Sequence, residues 1–122
     1  MAGKIIADTL EHSTAGSLTT DNVVNGSAKV WINVDQSSSN AIQKSFNTTS
    51  ITDHGTGNMT VNYTNSFSDG NKVYFGSDEY YGIGEIFGSS TGGHLQRSRG
   101  NGAYSTLTDT GGTCSGAMGD LA

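Results

Sequence analysis

Large apolar side chains are scarce in this chain, and that scarcity limits the folds open to it. Leu, Ile, Val and Phe supply 22 of the 122 residues, whereas a domain of this size normally buries about two-thirds of the surface its unfolded chain exposes. Gly, Ser, Thr and Asn supply 59. These types disfavour helix interiors and suit turns and strands, which excludes a helical bundle. A membrane-spanning helix needs about 20 consecutive apolar residues, and the apolar runs here stop at two or three. No apolar segment follows Met1, so no secretory signal is expected.

The remaining apolar residues are ordered along the chain. In Ala28-Lys-Val-Trp-Ile-Asn-Val34, Val30, Ile32 and Val34 fall on one face and Lys29, Trp31 and Asn33 on the other, the period of a half-buried strand. A polar turn, Asp35–Asn40, leads to a second strand over Ala41–Asn47. Asp53-His-Gly-Thr-Gly57 reads as the loop of a hairpin, its glycines suiting positive φ. Beyond it Met59, Val61 and Tyr63 alternate with Thr60, Asn62 and Thr64. Asp69-Gly-Asn71 is a further turn, before a strand at Lys72–Phe75. Shorter strands are expected at Gly84–Phe87, His94–Arg99, Tyr104–Thr108 and Thr113–Met118. Strands recurring every 8 to 12 residues or so, with no proline to interrupt a ladder, predict an all-β antiparallel sandwich or barrel-like body.

Residues 1–27 lack this order and read as an extended N-terminal arm, with at most a short helix over Lys4–His12. Residues 28–122 form the β-rich body. Because the apolar residues are patterned but few, the body is expected to share its core with other copies of itself, as an obligate intertwined oligomer. Val30, Ile32, Val34, Met59, Val61 and Tyr63 are the candidate core or subunit-interface residues, and Ile5, Ile6, Val23 and Val24 the candidate docking residues of the arm.

No catalytic constellation emerges. His12, His54 and His94 lie in separate segments without metal-ligand spacing. Asp69, Asn71, Asp78 and Glu79 are the residue types of a calcium site, but turn-capping Asx residues look the same. Gly82–Gly88 has the glycines of a dinucleotide loop without the βαβ context. No GxSxG elbow is present, and the carboxylates do not single out a glycosidase pair. Cys114, the lone cysteine, allows no intrachain disulfide and no zinc site. Four N-x-Ser/Thr sequons, at Asn25, Asn47, Asn58 and Asn62, are close to what 31 Ser and Thr produce by chance. A net charge of -5 with six scattered Lys and Arg gives no footprint for nucleic acid. The reading is therefore non-enzymatic, with no cofactor and no metal. Asp78-Glu-Tyr-Tyr81 remains as a candidate receptor-facing segment: Tyr80 and Tyr81 would offer contact area at low side-chain entropy beside Asp78 and Glu79.

Three strings carry a resemblance: Gly26-Ser-Ala-Lys-Val-Trp-Ile-Asn33, Ser45-Phe-Asn-Thr-Thr-Ser-Ile-Thr-Asp-His-Gly-Thr-Gly57 and Met59-Thr-Val-Asn-Tyr63. Together with Glu11–Ser17 and Met118–Ala122, they resemble short virion proteins and tail-fibre-like domains encoded by tailed bacteriophages, especially phages of marine bacteria and cyanobacteria. The resemblance is strongest over 26–64 and departs at Asp35–Asn40 and over 88–112. It implies a β-rich homotrimer, folded in the host cytoplasm and carried on the virion, whose arm docks on other virion proteins. A lone cysteine fits that compartment. The expected function is a small tail fibre or fibre tip in host attachment, meeting a host surface glycan or protein. A head decoration, cement or spike protein is the alternative within the class. A particle-borne polysaccharide depolymerase and a free-standing lectin-like module are alternatives outside it.

Overall fold

A computed structural model describes the chain apart from residues 1, 2, 4, 5, 15, 79–82 and 100–105. Its class is all-β, with antiparallel sheets of four, four and two strands and no closure into a barrel. Strands β1 (Thr9–His12) and β2 (Gly16–Thr19) form a hairpin, followed by one short helix, α1 (Thr20–Gly26). The body contains β3 (Val30–Asp35), β4 (Ala41–Phe46), β5 (Thr48–Asp53), β6 (Asn58–Tyr63), β7 (Val73–Asp78), β8 (Ile83–Ser90), β9 (Gly93–Arg99) and β10 (Thr113–Met118). The first body sheet has the order β4-β3-β10-β7 and the second β5-β6-β9-β8.

The arm departs from its expected form. Thr9–His12 pairs as a strand, and the helix falls on Thr20–Gly26 instead of Lys4–His12. A strand satisfies the Thr9–His12 backbone through the partner segment Gly16–Thr19, which the sequence of either segment alone does not announce. Lys29 ties the arm to the body. Its ammonium donates to the Val23 carbonyl near the end of α1 at 3.2 Å, where a cation is favoured, and its backbone N–H donates to Ala117 O of β10.

The chain passes from the first sheet to the second at a single residue, Asn47, which has φ of 55°. Asparagine tolerates this left-handed backbone. The side chain fixes the crossing, since Oδ1 accepts from Asn65 N at 2.8 Å while Nδ2 donates to Asn65 O at 3.1 Å. The β5–β6 hairpin turns about the expected loop. Gly57 there has φ of +61°, and a Cβ would meet the backbone of Ser98 and Thr108, so only glycine fits.

The two body sheets face one another. β3 contributes Val30, Ile32 and Val34 to the gap and β6 contributes Met59, Val61 and Tyr63, all buried, with Phe67 and Ala117 completing the cluster. These six residues therefore belong to the core of the single chain and have no surface left for a second copy. Beside them, β9 and β10 fill the gap differently. His94, Gln96, Ser98, Thr113 and Ser115 are all at most 2 % exposed. The missing apolar volume is thus taken up by polar side chains of the same chain. This removes the reason, drawn from scarcity, for a core shared between copies.

Candidate functional site

The polar part of the core forms a chain of hydrogen bonds with one direction. Gln96 Nε2 donates to Cys114 O at 3.3 Å, which leaves Oε1 to accept from the Ser115 hydroxyl at 2.6 Å. With its proton spent, Ser115 Oγ accepts from His94 Nε2 at 2.9 Å, and His94 Nδ1 accepts from the Tyr63 hydroxyl at 2.7 Å. His94 is therefore a neutral imidazole. Burial, and secondarily the charge of Lys72, holds its pKa down to about 4. Burial, and then the Tyr74 phenol, pushes the Tyr63 hydroxyl far above its ordinary value. Nearby, Thr113 donates to Gln36 Oε1 at 2.9 Å, and the Ser98 hydroxyl lies 3.1 Å from both Asp78 Oδ1 and Thr113 Oγ1. Burial raises the Asp78 carboxyl, against hydrogen bonds that favour its ionised form. His94, Gln96, Ser98, Thr113 and Ser115 are buried in this network, and Asp78 lies at its margin. These residues fix the distance between the sheets.

Among the described residues, aromatic side chains gather at two places. At one end of the core the Lys72 ammonium lies 4.8 Å from the Phe67 ring centroid, 5.7 Å from that of Tyr63 and 5.8 Å from that of Tyr74, and it donates to Ser90 O at 2.6 Å. Burial lowers the lysine pKa and Asp69 works against the shift. This cluster is already occupied by the chain's own cation.

The second gathering is open. Across the outer face of the first sheet, Phe46 stands opposite Trp31, Trp31 opposite Gly116, and Gly116 opposite Phe75, so one row crosses all four strands. Trp31 and Phe46 stack with ring centroids 6.5 Å apart. The Phe75 ring occupies the space that a Cβ on Gly116 would need, reaching over β10. Trp31, Phe46 and Phe75 remain 37 %, 53 % and 43 % exposed. A groove of about 370 Å³ runs between Trp31 and Phe75 over Cys114. It continues into a polar cavity of about 310 Å³ lined by Asn33, Gln43, Ser77, Asp78 and the 111–112 glycines. Asn33, Ser77 and Cys114 line both parts.

The outer face of the second sheet is closed by its own bonds. Asn62 Nδ2 donates to Ser50 Oγ at 3.1 Å and to Thr52 Oγ1 at 3.0 Å, and His54 Nε2 lies 2.9 Å from Thr60 Oγ1. Arg97 covers the Phe87 ring at 4.9 Å, and Arg99 pairs with Glu85 at 2.7 Å.

The sequence-derived candidates fall as follows. Tyr80, Tyr81, Glu79 and Ile5 lie outside the described residues. Asp78 lines the polar cavity, while its carboxylate bonds into the core. Ile6, Val23 and Val24 are exposed on the arm, where Leu10 and Leu18 join them. Both Asp69 oxygens are engaged by Asn71 within their own turn. Among the described residues no three His, Cys, Asp or Glu side chains gather as metal ligands. His54 and His94 lie on opposite faces of the second sheet, each with a protein partner. The aromatic row was missed in the sequence because Trp31, Phe46 and Phe75 lie on three separate strands. Their odd-even phase relative to Val30, Ile32 and Val34 was the available signal for Trp31.

Comparison with protein-family models, curated proteins and solved structures finds no match to this chain.

Proposed function

We propose that the chain is a non-enzymatic structural protein of a bacteriophage particle, a small tail fibre or fibre tip that serves host attachment. The sequence resemblance over residues 26–64 supports the class. The observation that carries the reading is the contrast between body and arm: the body has its own core, whereas Ile6, Leu10, Leu18, Val23 and Val24 are all exposed on or beside the β1–β2 hairpin and α1. A two-stranded hairpin is marginal on its own in water. An arm of this kind gains stability when its apolar residues are covered by a larger assembly. In this reading the arm docks on other virion proteins, copies meet through it as a homotrimer, and the aromatic row faces outward.

Electron microscopy of purified particles labelled with an antibody fragment against this chain tests the assignment. Label at the tail is the expected result. Label over the head makes the chain a decoration or cement protein, and absence from all particles overturns the virion reading. Deleting residues 1–25 should abolish incorporation while leaving a folded body. A shortened chain that still incorporates would remove the arm's role.

A further inference from the structure

We propose that the groove between Trp31 and Phe75 binds a neutral carbohydrate, with a sugar ring lying on the aromatic row and its hydroxyl groups bonding to the polar side chains at the far end. The inference rests on the attachment reading and gives that function a site and a ligand class. Three observations carry it.

The first is shape. The groove, about 370 Å³ in its aromatic part and 310 Å³ in its polar part, is of the size that holds small ligands. A second copy of the chain fits the face less well. Four strands at about 4.8 Å spacing and six residues at about 3.3 Å rise give a face of roughly 400 Å², about half of what each partner buries in a standard stable interface.

The second is the split chemistry of the groove. One end is flat and aromatic, and the other carries Asn33, Gln43 and Ser77, which both donate and accept hydrogen bonds. The ligand that matches has an apolar face edged by hydroxyl groups. Nucleobases also stack on such rows, but a phosphate backbone needs several cations. The chain carries only six Lys and Arg against eleven Asp and Glu, and none of the five among the described residues lines the groove.

The third is an unsatisfied acceptor. Asn33 Oδ1 has no hydrogen-bond partner among the described residues. Buried acceptors are seldom left in that state. Asn33 stands two residues beyond Trp31 on the same face of β3 and lines both parts of the groove. Rotation of its amide about χ2 presents the acceptor to a ligand hydroxyl, beside the ring stacked on Trp31.

Trp31 is the only tryptophan of the chain, so its fluorescence reports this groove directly. The full chain is titrated with chitotetraose, cellotetraose, maltotetraose and mannotetraose while its emission is recorded. The expected result is a saturable change with at least one of them, at a Kd between about 10 μM and 10 mM. Phe75→Ala should weaken that binding about tenfold or more, and Gly116→Ala, whose Cβ would meet both the Phe75 ring and the Val30 carbonyl, should do the same by displacing that ring. Thr52→Ala, on the opposite outer face, should leave it unchanged. Circular dichroism of each variant separates lost binding from lost fold, and Asn33→Ala provides a further reading if Gly116→Ala does not fold.

No saturable change with any of the four sugars overturns the proposal, as does undiminished binding by folded Phe75→Ala. An emission shift that follows protein concentration without sugar, together with dimers in sedimentation, assigns the row to a second copy and overturns it too. Particle labelling is independent of all three. Label on the tail without sugar binding removes this inference alone, and sugar binding by a chain absent from particles leaves a free-standing lectin-like module.

Discussion

Between β3 and β6 the two sheets are held apart by Val30, Ile32, Val34, Met59 and Val61, and between β9 and β10 the same gap is filled by His94, Gln96, Ser98, Thr113 and Ser115. The first half is held by apolar burial, which has no direction and scales with area. The second is held by bonds that each need a donor and an acceptor in place, and a missing partner there costs more than the bond itself contributes. A chain short of aliphatic residues can therefore close a sandwich, provided the polar residues it substitutes satisfy one another.

The strongest way to break the comparison is to place a charge in the apolar half. Ile32→Asp puts a carboxylate among side chains that cannot solvate or pair it, at a cost of several kcal/mol. The expected outcome is an unfolded chain by circular dichroism. A folded Ile32→Asp protein would show that this half tolerates what only the polar half should.

Next in size are truncations that set one half against the other. Met59→Ala should cost about 3 kcal/mol through lost burial and a residual cavity. His94→Leu should cost a similar amount, roughly 3 kcal/mol, by leaving the Tyr63 hydroxyl without its acceptor and Ser115 Oγ without its donor. Adding Tyr63→Phe to His94→Leu should then cost little, because the hydroxyl left without its acceptor is removed along with that acceptor. Urea denaturation of the two single variants and the double variant measures this directly. A full additive loss in the double variant would mean that the bonds are not coupled.

Acid should separate the halves without any substitution at all. His94 titrates near 4 in the folded chain, against 6.5 for an ordinary histidine. The folded state binds fewer protons than the unfolded chain between these values. That contribution to stability is complete above about pH 6.5 and is lost as pH falls toward 4, by roughly 3 kcal/mol in total. Asp78 has the opposite sign. Its folded pKa is raised, so its contribution is present below the ordinary carboxylate value and is lost as pH rises through the folded one. Urea midpoints of wild type should fall on acidification from about pH 7 to 4, and His94→Gln should remove most of the fall. An unchanged slope in that variant would place the titrating group elsewhere.

The smallest effect is expected outside the core. Thr52→Ala, on the self-bonded outer face of the second sheet, should shift stability by no more than about 0.5 kcal/mol. A thermal melt suffices to check it.

The apolar half was legible in the sequence, and the polar half was not. Val30, Ile32 and Val34, and then Met59, Val61 and Tyr63, announce inward faces because alternation with polar neighbours has only one sensible orientation in water. His94, Gln96 and Ser98 alternate with Leu95 and Arg97, and a pattern reader places Leu95 inside. The structure buries the polar set, because its partners wait on β10, far along the chain. Thr113–Met118 was recognised as a strand, yet nothing local says that Thr113 and Ser115 face inward. The aromatic row was hidden for a related reason. Its members become neighbours only through the strand order β4-β3-β10-β7, which joins segments from both ends of the body.

The single direction of the Gln96–Ser115–His94–Tyr63 chain also governs how this protein can change over generations. In the apolar half, Val, Ile, Leu and Met can replace one another in small steps, each graded by volume. In the polar half an exchange that reverses a donor strands its neighbour, so viable changes must arrive in pairs across β9 and β10. Divergent descendants should therefore drift freely on one side of the sandwich and move in linked jumps on the other.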